Sequence, residues 1–158
     1  DRVRSMALVH EKLYRSDNLE LIDLGEYTEK LVSEVLSFRE EDITSTIDAE
    51  SIPVDIDFAV PFGLILNELV MNAIQHAFGA DGGGAVAVRV RNENDVVRLQ
   101  VEDDGVGIPE GLDIEESDSL GLRLVNALVQ QLRGTISVAR DGGTHWDVRL
   151  YQMATTES

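Results

Sequence analysis

Apolar positions along the chain change their period several times, and each change marks an element. Val3, Met6, Val9, Leu13 and Tyr14 stand at helical spacing, with Ala7 and Leu8 beside the stripe, until Asp17-Asn18 breaks it. Ile22, Leu24, Tyr27, Leu31, Val35 and Leu36 predict a second helix. Residues 42–48 then alternate, with Ile43 and Ile47 separated by Thr and Ser, which predicts a strand. Pro61 suits the first turn of a helix, and from there to Phe78 the pattern is long and strongly apolar, ended by Gly79 and Gly82-Gly83-Gly84. Val86, Val88 and Val90 alternate with Ala87, Arg89 and Arg91, and Val97, Leu99 and Val101 answer them across the turn 92–95, so a hairpin is expected.

Residues 105–118 form a glycine- and acid-rich loop, Leu120 to Leu132 a helix with Gly134 as its expected C-cap, and Ile136, Val138, Trp146, Val148 and Leu150 a last hairpin around Asp141-Gly142-Gly143. Helices lead and antiparallel strands follow, which predicts an α/β two-layer sandwich, a mixed sheet with helices on one face. The polar tail from Met153 is expected to fray.

A length of 158 residues, 43% of them hydrophobic, suits one domain with a real core. No run approaches the ~18 apolar residues of a membrane span, so the chain reads as soluble and cytoplasmic. It opens Asp1-Arg2-Val3, without a start methionine or a signal-peptide pattern, as a piece of something longer would. The absence of cysteine excludes disulfides and thiolate zinc sites. The net charge of −17 repels phosphate backbones and anionic lipid, which excludes nucleic acid and membrane surfaces as partners. Lys12 and Lys30 are the only lysines. Such an acid-rich, lysine-poor surface fits a salt-loving source or a general need for solubility. A nucleotide would have to be held by backbone N–H groups, a helix N-terminus and a metal.

Three segments carry candidate chemistry. In the long apolar helix, Leu66, Leu69, Val70, Ala73, Ile74 and Ala77 make the stripe, and Glu68, Asn72 and Gln75 share another face at i, i+4 and i+7. Glu68 can position or deprotonate an attacking group, and the amide oxygen of Asn72 is a sensible ligand for a hard Mg2+. The same trio also fits a solvated helix face. Asp103, at a strand end, can accept from an exocyclic amine, and Gly105 and Gly107 let backbone approach a ligand, although an Asp-Gly turn needs no ligand. The acids of Asp103-Asp104-Gly105 lack the alternation and late Glu of a calcium loop. At Ser119 to Val125 a loop enters a helix, which seats a phosphate on free N–H groups or is simply capped by Ser119.

Taken together, in this order and spacing, these segments resemble the GHKL ATPase superfamily, which contains DNA gyrase, heat-shock ATPases, histidine kinases and a mismatch-repair ATPase. Asn67-Glu68-Leu69-Val70-Met71-Asn72-Ala73 is similar to the N box, Asp103-Asp104-Gly105-Val106-Gly107 to the G1 box, Ser119-Leu120-Gly121-Leu122 to the G2 box, and Gly142-Gly143-Thr144 to the final glycine–threonine element. Residues 20–151 carry the resemblance. Arg2 to Tyr14 resembles the end of the dimerisation region of HWE-related histidine kinases. The resemblance implies a Bergerat-type fold with a mixed, mostly antiparallel sheet. It divides the chain into a dimerisation-helix remnant (1–18), a catalytic ATP-binding domain (19–152) and a tail (153–158).

The implied activity is that of a histidine kinase that binds Mg-ATP and passes its γ-phosphoryl group to a histidine on an absent upstream helix, with a response regulator as partner and a homodimer formed through the N-terminal helices. Asn72 would bind Mg2+ with Glu68 beside it, and Asp103 the adenine amino group. Gly105 and Gly107 would make room for the nucleotide, with Ile108 against the base. Ser119, Leu120, Gly121 and Leu122 would face the phosphates, with Gly121 and Leu122 offering backbone. Thr144 would help bind adenine, and residues 110–118 would form a short lid. Gln75 stands where many relatives carry a phosphate-reaching lysine, and Ser119 replaces the first G2 glycine. His76 would flank the nucleotide or meet the helix dipole. His10 is read as a packed residue rather than the phosphoacceptor. His145 has no motif behind it, and Trp146 reads as core. Two other readings stay open: a non-catalytic nucleotide-binding interaction module, and a serine kinase of the anti-sigma-factor type.

Overall fold

A computed structural model of the chain describes residues 21–37, 43–77, 84–104, 120–140 and 143–152. The helix expected over residues 1–16 and the tail from Met153 lie outside them. In chain order the elements are β1 (Ile22–Asp23), α1 (Leu24–Ser37), β2 (Ile43–Ala49), β3 (Pro53–Val54), α2 (Ile56–Asn72), a π-helical turn (Ala73–Ala77), β4 (Gly84–Glu93), β5 (Val96–Asp103), α3 (Leu120–Gln131), β6 (Thr135–Arg140) and β7 (Thr144–Tyr151). Strands β2-β4-β5-β7-β6 form one five-stranded sheet, with β2 parallel to β4 and every other pair antiparallel. The two-residue strands β1 and β3 form a separate ribbon that the sequence pattern does not announce.

Period-two alternation sorts the sheet into two faces. Val86, Val88, Val90, Val97, Leu99, Val101, Trp146, Val148 and Leu150 are buried under the helices. The alternate positions hold charges that pair across strands, such as Arg98 with Asp147 at 2.7 Å and Arg91 with Asp48 at 2.5 Å. This is the expected two-layer α/β sandwich. The β4–β5 turn has positive φ at both Asn94 and Asp95, the geometry that matches the twist of a tight hairpin.

Two expectations about the helices need correction. The central helix starts at Ile56, not Pro61, because Asp55 caps it by accepting from the Phe58 N–H at 3.0 Å. Pro61 therefore lies inside the helix, buried, and gives up the bond that the Asp57 carbonyl would accept. At the C-terminus of α3 the left-handed residue is Arg133, with φ 59°. The N–H groups of Arg133 and Gly134 bond back to the carbonyls of Gln130 and Val129, a Schellman ending. Gly134 is needed for another reason: a Cβ there would sit 2.0 Å from the Arg149 carbonyl oxygen.

Among the described residues, the helical stretch Ile56–Gln75 is long and apolar enough to cross a membrane, by length and composition only, and it is mostly buried within the fold. Its apolar character goes into packing. Phe58, Ala59, Phe62, Ile65, Leu66, Leu69 and Val70 are all buried, and α2 packs against both α1 and α3. Only a narrow stripe, Leu64, Glu68, Met71, Asn72 and Gln75, keeps partial or full exposure along its second half.

Candidate functional site

Chain direction brings four segment ends together at one end of the molecule. The end of β5 is opposite the start of β7 and the start of β4, through Asp103↔Thr144 and Asp103↔Val86. The π turn that continues α2 contacts β5. Helix α3 is oriented by its far end, where the Tyr151 N–H donates to the Leu132 carbonyl at 3.2 Å. Because α3 packs against β6 and is joined to it by a short turn, its 12 residues run back about 18 Å toward the Thr144 end, against about 26 Å for the eight residues of β7. The exit of β5, the entry of β7 and the N-terminus of α3 thus lie toward one end of the sheet, and the turn that follows α2 packs on β5.

Asp103 has the parity of Leu99 and Val101, so its carboxylate belongs to the helix-facing side and is only 5% exposed. Buried carboxylates need hydrogen-bond donors, and the Thr144 N–H donates to Asp103 Oδ1 at 3.3 Å. Thr144 is itself buried on the same face. The residue before it, Gly143, has φ +132°, and a Cβ there would lie 1.9 Å from the Asp103 carbonyl oxygen. The chain entering β7 can lie against the strand end only without a side chain. Asp104 faces the other way and ties β5 to β4: its Oδ1 accepts from the Ala85 N–H at 2.9 Å, and its own N–H donates to the Ala85 carbonyl at 3.3 Å. The sequence reading did not single out Asp104, although an acid just past a strand end and before a glycine is the signal for such a clamp.

On α2, Glu68 and Asn72 are half-buried and share the narrow outward stripe with exposed Gln75, as the i, i+4, i+7 spacing predicts. Asn67 is the buried neighbour on the opposite side, 1% exposed. The Asn72 side-chain nitrogen is enclosed and has no hydrogen-bond partner among the described residues. An enclosed amide nitrogen without an acceptor costs about 1–3 kcal/mol, and such a group calls for an explanation. A ligand oxygen would satisfy it while the amide oxygen remains available to a cation. No cluster of three or more His, Cys, Asp or Glu side chains suited to a metal occurs among the described residues.

Leu120 and Gly121 open α3, and the Leu122 side chain is core at 4% exposure, so only its backbone can face a ligand. His76 lies in the π turn. His145 faces the open side of the sheet, 3.7 Å from Glu102, away from Thr144. Trp146 is core, as expected. The sites placed at Gly105, Gly107, Ile108 and Ser119, the lid 110–118, and His10 lie outside the described residues.

Residues 59–153 match the family model described as "Histidine kinase-, DNA gyrase B-, and HSP90-like ATPase", and residues 1–39 match a model described as "Histidine kinase". The sensor histidine kinase PdtaS of Mycobacterium tuberculosis is 36% identical over 155 residues, which is 94% of this chain and 31% of that protein. Blue-light-activated histidine kinase 2 of Erythrobacter litoralis is 35% identical over 140 residues, 85% of this chain and 40% of that protein. The chain thus spans about a third of the length of these curated relatives. The solved histidine kinase domain of the Erythrobacter litoralis EL346 blue-light-activated kinase superposes with a TM-score of 0.86 at 30% identity, covering 96% of this chain and 73% of that one. An enclosed carboxylate at the exit of the central strand, on which the turn after the amide-bearing helix packs, thus sits in a fold and a sequence that both lead to one conclusion: the chain belongs to the histidine kinase-, DNA gyrase B- and HSP90-like ATPase family, on its histidine kinase side.

Proposed function

We propose that this chain is the catalytic ATP-binding domain of a sensor histidine kinase (residues 19–152), with a remnant of its dimerisation helix (1–18) before it and a short tail (153–158) after it. The observation that carries the reading is the enclosed amide nitrogen of Asn72, without a partner among the described residues, just before the π turn that contacts the strand bearing Asp103. Asp103 accepts the adenine amino group, with Thr144 beside it. Gly105 and Gly107 give the nucleotide room, with Ile108 against the base. The N-terminus of α3 (Ser119 to Leu122) offers N–H groups to phosphate. Asn72 holds Mg2+, and Glu68, one turn away, orders the attacking group. Gln75 and His76 flank the nucleotide. Mg2+ would supply charge neutralisation across the phosphate oxygens, and the protein's part is positioning, as phosphoryl transfer generally requires.

The whole protein passes the γ-phosphoryl group of ATP to a histidine on a helix upstream of this chain. A response-regulator aspartate takes it next, and the whole protein works as a homodimer. The test is a titration with a Mg-ATP analogue. Wild type binds, Asn72→Ala and Asp103→Ala lose at least tenfold, and substitutions on the open sheet face leave binding unchanged. Equal affinity in all variants refutes the site.

A second reading has its own support. The anti-sigma F factor of Geobacillus stearothermophilus is 47% identical over 53 residues, 34% of this chain. It would make the acceptor a serine on a partner protein. The match of residues 1–39 to the histidine kinase model favours the first reading. Phosphotransfer assays with a longer protein carrying the upstream helix decide, because phosphohistidine is acid-labile and phosphoserine is not.

A further inference from the structure

The strand register places a third residue in line with Asp103 and Thr144. Thr144 is opposite Arg140 across the β6–β7 pair, as it is opposite Asp103 across β5–β7. Directly opposed residues in antiparallel strands share a face. Ile136 and Val138, at the same parity as Arg140, pack against the core, so this is the helix-facing side. Asp103, Thr144 and Arg140 therefore stand abreast at the same end of the sheet, with Arg140 about 10 Å along the row from Asp103, two strand spacings. Helix α3 runs antiparallel to β6, so Arg140 ends its strand at the level where α3 begins.

Other cations are placed differently. Arg89, Arg91, Arg98 and Arg149 hold the alternate positions of β4, β5 and β7 and face the open side. Arg123 is on the outward side of α3, one residue from buried Leu122. The α2 stripe beside the site offers Glu68, Asn72 and Gln75, none of them a cation. A polyphosphate entering a chain of net charge −17 meets local repulsion there.

We propose that Arg140 is a nucleotide-binding residue that reaches the phosphate groups from the edge strand and supplies the cation that the α2 stripe lacks. The inference rests on the nucleotide reading of the site. Arg140 already takes part in an interaction within the chain, and a guanidinium has five donors, enough to serve both. Its charge matters most for ligands with more phosphates and not at all for the base.

The test is calorimetric titration of wild type, Arg140→Gln, Arg140→Lys and Arg123→Gln with Mg-ATP, Mg-ADP and adenosine. Arg140→Gln is expected to lose roughly tenfold for ATP and somewhat less for ADP, with adenosine unchanged. Arg140→Lys keeps part of the ATP affinity, and Arg123→Gln stays within about twofold of wild type. An equal loss in Arg123→Gln would reduce the effect to bulk charge and overturn the proposal. So would an equal loss for adenosine, or no loss at all in Arg140→Gln while wild type binds ATP and Asp103→Ala does not. If wild type binds neither adenosine nor ATP, the nucleotide reading itself has failed, and the proposal with it.

Discussion

A Cβ on Gly143 would lie 1.9 Å from the carbonyl oxygen of Asp103. No L side chain fits at that distance, and φ +132° is a conformation that favours glycine. The strand end carrying the buried carboxylate and the entry to β7 are therefore packed through a missing side chain. Gly143→Ala is expected to cost more than about 2 kcal/mol of stability and to weaken nucleotide binding with it. Chemical denaturation and ligand titration check both, and a melt identical to wild type would contradict the contact.

Asn72 should behave in the opposite way. Its enclosed nitrogen has no partner among the described residues, so removing it breaks no hydrogen bond of that nitrogen to them. Asn72→Ala is expected to change stability by less than about 1 kcal/mol while Mg-dependent nucleotide affinity falls at least tenfold. Thermal melts and titrations with and without Mg2+ separate the two effects.

Tyr27 is a buried phenol, 1% exposed, whose hydroxyl lacks a hydrogen-bond partner among the described residues. It lies where the missing side chain of Gly63 leaves space, and burial pushes its ionisation above the ordinary phenol value. Tyr27→Phe is expected to leave stability unchanged or raise it by up to about 1 kcal/mol. A loss of about 2 kcal/mol in denaturant melts would reveal a bond that the structure does not show.

The open sheet face gives a pH dependence. Arg98 donates to both carboxylate oxygens of Asp147, at 3.0 and 2.7 Å. That hydrogen bonding holds the Asp147 carboxyl below its usual range. A depressed folded-state value means that the stabilisation is complete above the ordinary carboxylate value, about 3.9, and is lost as pH falls through the folded value. The stability difference between wild type and Asp147→Asn should be constant from pH 7 to about pH 5 and shrink below about pH 4. A difference that grows on acidification would contradict the pairing.

The alternation of residues 86–101 and 136–150 was enough to read off the sheet and its two faces, because period-two burial is a local property of a half-buried strand. From the sequence Asp103 read only as an acid at a strand end; its place on the core side became visible once β5 was seen to run through it with the parity of Leu99 and Val101. Local pattern failed where the deciding contact was distant or small. Asp55, not Pro61, starts α2, because a single capping bond outweighs a proline preference. Gly134 answers a carbonyl on β7 rather than its own helix end. The ribbon of β1 and β3 is too short for any periodicity to show.

What the amino-acid order determined alone was the set of elements, the face of each and the presence of Glu68, Asn72 and Asp103 in strand-end and helix-turn settings, since spacing along one element is a matter of backbone geometry. Tertiary structure decided which ends meet: that the tail of α2, the exit of β5 and the entry of β7 adjoin, that Asn72 is enclosed without a partner among the described residues, and that Arg140 stands in line with Thr144 and Asp103. Those facts depend on strand order and register between segments dozens of residues apart. These come from the packing of the whole core, which no local window of the chain contains.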